Sequence, residues 1–163
     1  MVRKTIFLIP GAYPKAARTL FDAIKASLGT SYQLVELETA YENTLISNAK
    51  NTESKILVGK SLGGKLAIKY QLEKKDAEAL VLLAPAAKPD NQYRHIETPI
   101  LILHGTKDDT IPIENSREME TYFSNCKLVE IADVGHGYEG KEVETADIIR
   151  EWLKSIDKMC RNP

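Results

Sequence analysis

The stretch Lys55-Ile-Leu-Val-Gly-Lys-Ser-Leu-Gly-Gly-Lys-Leu-Ala-Ile-Lys-Tyr70 restricts the fold of this chain more than any other. Ile56-Leu57-Val58 reads as a short buried strand, and helix-forming residues resume only after Gly64. Between them, Gly59-Lys60-Ser61-Leu62-Gly63 fits the Gly-x-Ser-x-Gly turn that leads from a strand into a helix. A serine thrust out of so sharp a turn sits in a strained backbone conformation, and bulky neighbours two residues to either side would collide. The turn also aims the amide of Leu62, at the start of the helix, into the space in front of the Ser61 hydroxyl, where an oxyanion would develop. Gly59-Lys60-Ser61 resembles the end of a phosphate-binding loop. That motif needs a glycine five residues before Gly59, where Ser54 stands, and the match fails. Lys60, inside the turn, is expected to face solvent.

A strand feeding directly into a helix implies a parallel sheet, and the rest of the chain repeats the pattern. Strands are expected at Thr5–Ile9, Tyr32–Leu37, Lys55–Val58, Ala79–Leu83, Pro99–Leu103 and Lys127–Ile131. Ala17, Leu20, Phe21, Ile24 and Leu28 recur at helical spacing and are closed by Gly29. A short, weakly periodic helix is expected within Tyr41–Asn51. Further helices run from the serine turn to about Lys74, over Ile113–Phe123, and from Lys141 to about Lys158. In the last of these, Val143, Ala146, Ile149, Leu153 and Ile156 form one stripe. Residues 85–98 leave room for a loop and a helical turn or two. With no linker, repeat or low-complexity segment, residues 1–163 read as a single α/β domain, a three-layer α/β/α sandwich around a six-stranded parallel sheet.

Composition narrows the function classes. The 163 residues are 43% apolar and 28% charged, as in a globular protein with a substantial core. A formal net charge of -1 gives no reason to expect nucleic acid or an anionic membrane as partner. The apolar run Thr5–Ile9 is too short for a signal peptide and stops at Pro10-Gly11. No run approaches a membrane span. Cys126 and Cys160 lack metal-ligand spacing, no other cluster suggests a metal or cofactor, and a reduced cytoplasmic protein is expected.

Parallel sheets place their sites at the carboxyl ends of the strands, and three chemistry-bearing residues fall there: Ser61, Asp108 and His136. A serine hydroxyl needs a base to take its proton, a role His136 could fill, and a carboxylate would hold the imidazole in the right tautomer. Asp109 and Asp133 stand close enough in sequence to replace Asp108 in that role. Tyr13 and Tyr138 flank the inferred site as candidate pocket lining. His104, at a strand end before Gly105, reads as a structural side chain, and His95 as a solvated one.

On these residues the chain resembles a small member of the α/β-hydrolase superfamily. The likeness is carried by Phe7-Leu8-Ile9-Pro10-Gly11-Ala12, by the turn around Ser61, by Pro99–Pro112 with its His104-Gly105 and Asp108, and by Val134-Gly135-His136-Gly137. The resemblance implies a minimal version of that sheet, ordered 2-1-3-4-5-6, in which larger members carry two further strands. It selects Asp108 over Asp109 as the triad acid. It further implies that the amide of Ala12, with that of Leu62, forms the oxyanion hole, although Pro10-Gly11 stands where relatives often have His-Gly. The expected activity is cleavage of a small carboxylic ester or thioester through an acyl-enzyme, without cofactor. Alternatives are a small-substrate amidase or peptidase, and a non-catalytic binding protein of the same fold. A flavodoxin-like nucleotide-binding domain would share the sheet order, but no phosphate-cradling loop follows the first strand. Oligomeric state is left open by the sequence.

Overall fold

Strict alternation of apolar strands with amphipathic helices produces one all-parallel sheet. The structure, a computed structural model, describes residues 3–162. Its strands are β1 (Thr5–Ile9), β2 (Gln33–Glu36), β3 (Lys55–Lys60), β4 (Ala79–Leu83), β5 (Ile100–Gly105) and β6 (Cys126–Ile131). They are ordered β2-β1-β3-β4-β5-β6, every neighbouring pair parallel. The helices are α1 (Arg18–Leu28), α2 (Glu42–Ala49), α3 (Leu62–Lys74), α4 (Ile113–Tyr122) and α5 (Glu142–Arg161). Order and layering are those expected of the superfamily.

Because strand side chains alternate between faces, each central strand feeds two cores. Ile6, Leu8, Ile56, Val58, Val81, Leu83, Leu101 and Leu103 pack with Leu20, Phe21 and Ile24 of α1 and with Ala146, Ile149 and Leu153 of α5. Phe7, Ile9, Leu57, Leu80, Leu82, Ile100 and Ile102 pack with Ala67, Ile68 and Tyr70 of α3 and Met119 of α4. That two-sided burial is why these strands read as continuous apolar runs. Among the described residues, no helix is long and apolar enough to cross a membrane.

The structure lengthens two strands at the end where the site lies. β3 continues past Val58 because Gly59 and Lys60 find partners in Leu82 and Leu83 of β4. β5 continues past Leu103 because His104 and Gly105 pair with Glu130 and Ile131 of β6. Both extensions turn a residue inward that would otherwise lie in a loop. Lys60, expected in solvent, is only 4% exposed, and His104 is fully buried.

The crossover between β4 and β5 folds down rather than over the sheet end. It contains a single 3-10 turn, Asn91–His95, opened by the Asp90 carboxylate accepting from the amide of Gln92. Tyr93 from this turn stacks on Phe123 with ring centroids 4.9 Å apart, and Ala87 and Ile96 are buried with it. The segment therefore belongs to the core on the α3 and α4 side.

Candidate active site

Ser61 occupies the tip between β3 and α3 with φ 53° and ψ −115°, a left-handed conformation that L-residues adopt only under constraint. The constraint is visible. The Ser61 amide donates to Leu83 O at 2.8 Å, and the Ser61 carbonyl accepts from Gly64 at 3.0 Å and Ala86 at 2.9 Å. Glycines are required on both sides for space. A Cβ on Gly59 would lie 2.3 Å from Gly63 O, and one on Gly63 would lie 2.2 Å from Ile9 O. We therefore expect Gly63→Ala to lower stability by about 1–3 kcal/mol or to prevent folding, read as a drop in thermal midpoint or loss of soluble protein. An unchanged midpoint would show that the turn can relax away from β1.

Leu62 opens α3, so its amide has no carbonyl one turn earlier to bond. The loop after β1 runs beside the serine: a Cβ on Gly11 would lie 3.2 Å from Ser61 Cβ and 3.8 Å from Ser61 Oγ. Ala12, next in that loop, is exposed, and Tyr13 is 81% exposed, standing free beside it.

The carboxylate partner comes from the loop after β5. Asp108 Oδ1 accepts from the amides of Thr110 at 2.9 Å and Ile111 at 2.8 Å, which fixes its side chain across its own turn. Its Oδ2 lies 2.7 Å from His136 Nδ1. Burial works to raise the proton affinity of Asp108, but the amides of Ile111 and Thr110 and the His136 ring outweigh it, holding the carboxyl below its ordinary value. The loops bearing Asp108 and His136 are tied together by Lys107 N to Val134 O at 2.9 Å and Asp133 N to Thr106 Oγ1 at 2.9 Å. The Asp133 carboxylate itself points outward to a surface pairing with Lys107, and Asp109 is exposed, so neither reaches His136. His136 keeps 19% of its side chain exposed. Among the described residues no hydrogen bond joins the Ser61 hydroxyl to that ring. Such bonds are often long before substrate binds.

Two further residues sit differently from expectation. Tyr138 does not line an open pocket: it is fully buried, and its hydroxyl donates to Leu103 O at 2.7 Å, pinning the histidine loop to β5. Lys60 shares the face of Ile56 and Val58, and burial lowers its proton affinity, while Asp108 and Glu139 act the other way. Its inward position could have been read only from the strand continuing two residues further. His104 is structural in placement, as expected, but it touches the site, because its Nε2 lies 3.1 Å from Asp108 Oδ2. No group of side chains with the makings of a metal centre occurs among the described residues.

Comparison with known proteins places the chain by family and fold. The profile of the alpha/beta hydrolase family matches residues 29–144. Protein ABHD14A of Mus musculus is 27% identical over 104 residues, an alignment that takes in 61% of this chain but only 39% of that protein's length. Among solved structures, Est1E from Butyrivibrio proteoclasticus superposes with a TM-score of 0.79 at 17% identity, covering 94% of this chain and 88% of that one. An esterase domain from Rhodothermus marinus gives 0.77 at 13% identity, covering 93% and 86%. A meta-cleavage product hydrolase from Pseudomonas fluorescens gives 0.79 at 13% identity, covering 94% and 91%. At such identities the structural likeness is one of fold.

Proposed function

The chain belongs to the alpha/beta hydrolase family, and from that premise we propose that it is a serine hydrolase cleaving a small carboxylic ester or thioester through an acyl-enzyme. The observation that carries this reading is the 2.7 Å contact of Asp108 Oδ2 with His136 Nδ1 at the same sheet end as the strained Ser61. A carboxylate on Nδ1 leaves Nε2 of the neutral ring unprotonated and able to accept the serine proton. Ser61 Oγ then attacks the acyl carbon, and the carbonyl oxygen becomes an anion facing the amides of Leu62 and Ala12. Collapse expels the alcohol or thiol, which takes its proton from the His136 imidazolium. Water, deprotonated by the same ring, releases the acid and regenerates Ser61. Two free cysteines, Cys126 and Cys160, are compatible with a reducing, cytoplasmic setting.

A serine-directed fluorophosphonate tests the reading: stoichiometric labelling at Ser61 is expected, and an unlabelled protein would point to a binding module on the same fold. Substrate size follows from the crossover between β4 and β5. Its Ala87, Tyr93 and Ile96 are committed to the core, so this segment offers no cover for Ser61. Without cover, a long acyl chain gains little of the ~0.8 kcal/mol available per buried methylene. Along a series of p-nitrophenyl esters, kcat/KM is expected to peak at short acyl chains, with no activation by emulsified lipid. A steady rise toward long chains would show that another surface wraps the substrate.

A further inference from the structure

Asp108 Oδ2 is approached by two imidazoles, His136 Nδ1 at 2.7 Å and His104 Nε2 at 3.1 Å. The second ring lies wholly inside the protein. Its Nε2 is also 3.0 Å from Ile111 O, and its Nδ1 is 2.7 Å from the hydroxyl of Ser116, a fully buried residue of α4. Both partners of Nε2, a carbonyl and a carboxylate, can only accept, so this nitrogen must carry a proton. Burial disfavours the imidazolium, with the Ile111 carbonyl and Asp108 opposing it, and the net direction is toward the neutral ring. A neutral ring protonated on Nε2 has a bare Nδ1, to which the Ser116 hydroxyl donates.

We propose that His104, anchored by Ser116, is a positioning residue for Asp108: its Nε2–H, bonded to the Ile111 carbonyl and shared at 3.1 Å with Oδ2, keeps that oxygen in line with His136 while the turn amides hold Oδ1. The carboxylate then has three hydrogen-bond donors, Thr110 N, Ile111 N and His136 Nδ1–H, and a further 3.1 Å contact on Oδ2 from His104 Nε2, whose own hydrogen bond goes to Ile111 O. With both oxygens held, it has no rotation left that keeps its bonds. His104 would thus do for the carboxylate what the carboxylate does for His136, one bond further from the substrate. A chain α4–Ser116–His104–Asp108–His136 runs from a helix in one core to the partly exposed ring of His136. The inference rests on the reading of Asp108 as the triad acid.

The full-length protein, labelled with nitrogen-15 histidine, allows the tautomer to be read directly by NMR. The expected spectrum shows His104 neutral and protonated on Nε2; a cationic ring, or one protonated on Nδ1, would overturn the proposal whatever the activity. In turnover of p-nitrophenyl acetate, His104→Phe is expected to lower kcat by on the order of 10- to 100-fold with KM within about twofold. His104→Gln, whose amide N–H can still reach Oδ2, should stay within about threefold of the parent. In an Asp108→Asn background, His104→Phe should bring no further loss, because it acts only through that carboxylate. Full activity of His104→Phe, or the same loss repeated in the Asp108→Asn background, would sink it. If His104→Phe fails to fold, Ser116→Ala, which frees the ring edge, must lower kcat by about three- to tenfold or the proposal falls. A parent that neither turns over esters nor takes the fluorophosphonate removes the triad reading itself. An active parent with indifferent His104 variants removes only the positioning role.

Discussion

Ser61→Ala is expected to reduce ester hydrolysis by ~10³-fold or more while leaving the fold in place. In the proposed triad, nucleophile, base and acid act as a unit, so losing the hydroxyl would leave only what the amides and substrate binding supply. Stability should change little, because the backbone bonds that hold the turn, from Ser61 N to Leu83 and from Gly64 and Ala86 to Ser61 O, do not use the side chain. Alanine also tolerates φ 53° about as poorly as serine, so the turn stays under the same constraint. The decisive comparison is hydrolysis of a chromogenic ester by the two proteins at matched concentration, with circular dichroism and thermal midpoint as controls. Equal rates would place the nucleophile elsewhere.

The second large effect separates two adjacent acids. Asp108→Asn is expected to lower kcat by ~10⁴-fold, and Asp109→Asn by less than about threefold. The reason lies in the acceptor count. Asp108 Oδ2 meets the ring nitrogens of His136 and His104, and Oδ1 meets the amides of Thr110 and Ile111. An asparagine kept on the two amides would aim its own N–H groups at two imidazole donors, forcing His136 toward the tautomer that cannot accept the serine proton. Asp109, by contrast, is exposed, and among the described residues its carboxylate accepts only from the neighbouring Thr110 hydroxyl.

The same substitution has a consequence for stability at low pH. The Asp108 carboxyl is held below its ordinary value, so its stabilising bonds are complete above that value and fade as pH falls through the lowered one. Asp108→Asn should therefore flatten the acid end of the stability profile. A steeper loss in acid than the parent shows would contradict the bonding described. A ranking in which Asp109→Asn is the more damaging change would mean that the loop has been read one residue out of register.

Local chemistry made much of this protein legible before any coordinates. β1 and β4 occupy the stretches Thr5–Ile9 and Ala79–Leu83 because each is an apolar run bounded by residues that cannot continue it, Pro10-Gly11 in one case and Ala84-Pro85 in the other. The serine turn was legible for a steric reason. Only glycine can stand at positions 59 and 63 when the neighbouring carbonyls come so close, and such spacing marks the chain itself. The placement of Ser61, Asp108 and His136 after β3, β5 and β6, all at one end of the sheet, followed from the polarity of a parallel sheet.

What the sequence by itself could not determine lies where the partner strand decides. Whether β3 stops at Val58 or runs to Lys60 depends on Leu82 and Leu83 being present alongside to pair, and that extension takes a lysine from solvent into the protein. The extension of β5 likewise carries His104 beneath the site, against Asp108 and Ser116, residues four and twelve positions away with no local pattern linking all three. From its place beside His136, Tyr138 reads as a candidate wall of the pocket, yet its left-handed backbone at φ 61° accompanies a ring turned inward to Leu103. The choice between Asp108, Asp109 and Asp133, which the residues alone leave open and the family resemblance decides in favour of Asp108, has the same character. All three are carboxylates at a strand end, and only the loop packing that ties Lys107 to Val134 sets one of them 2.7 Å from the imidazole. Periodicity reports which face a residue prefers. Pairing and loop docking, which join residues distant in sequence, settle which neighbours it meets there.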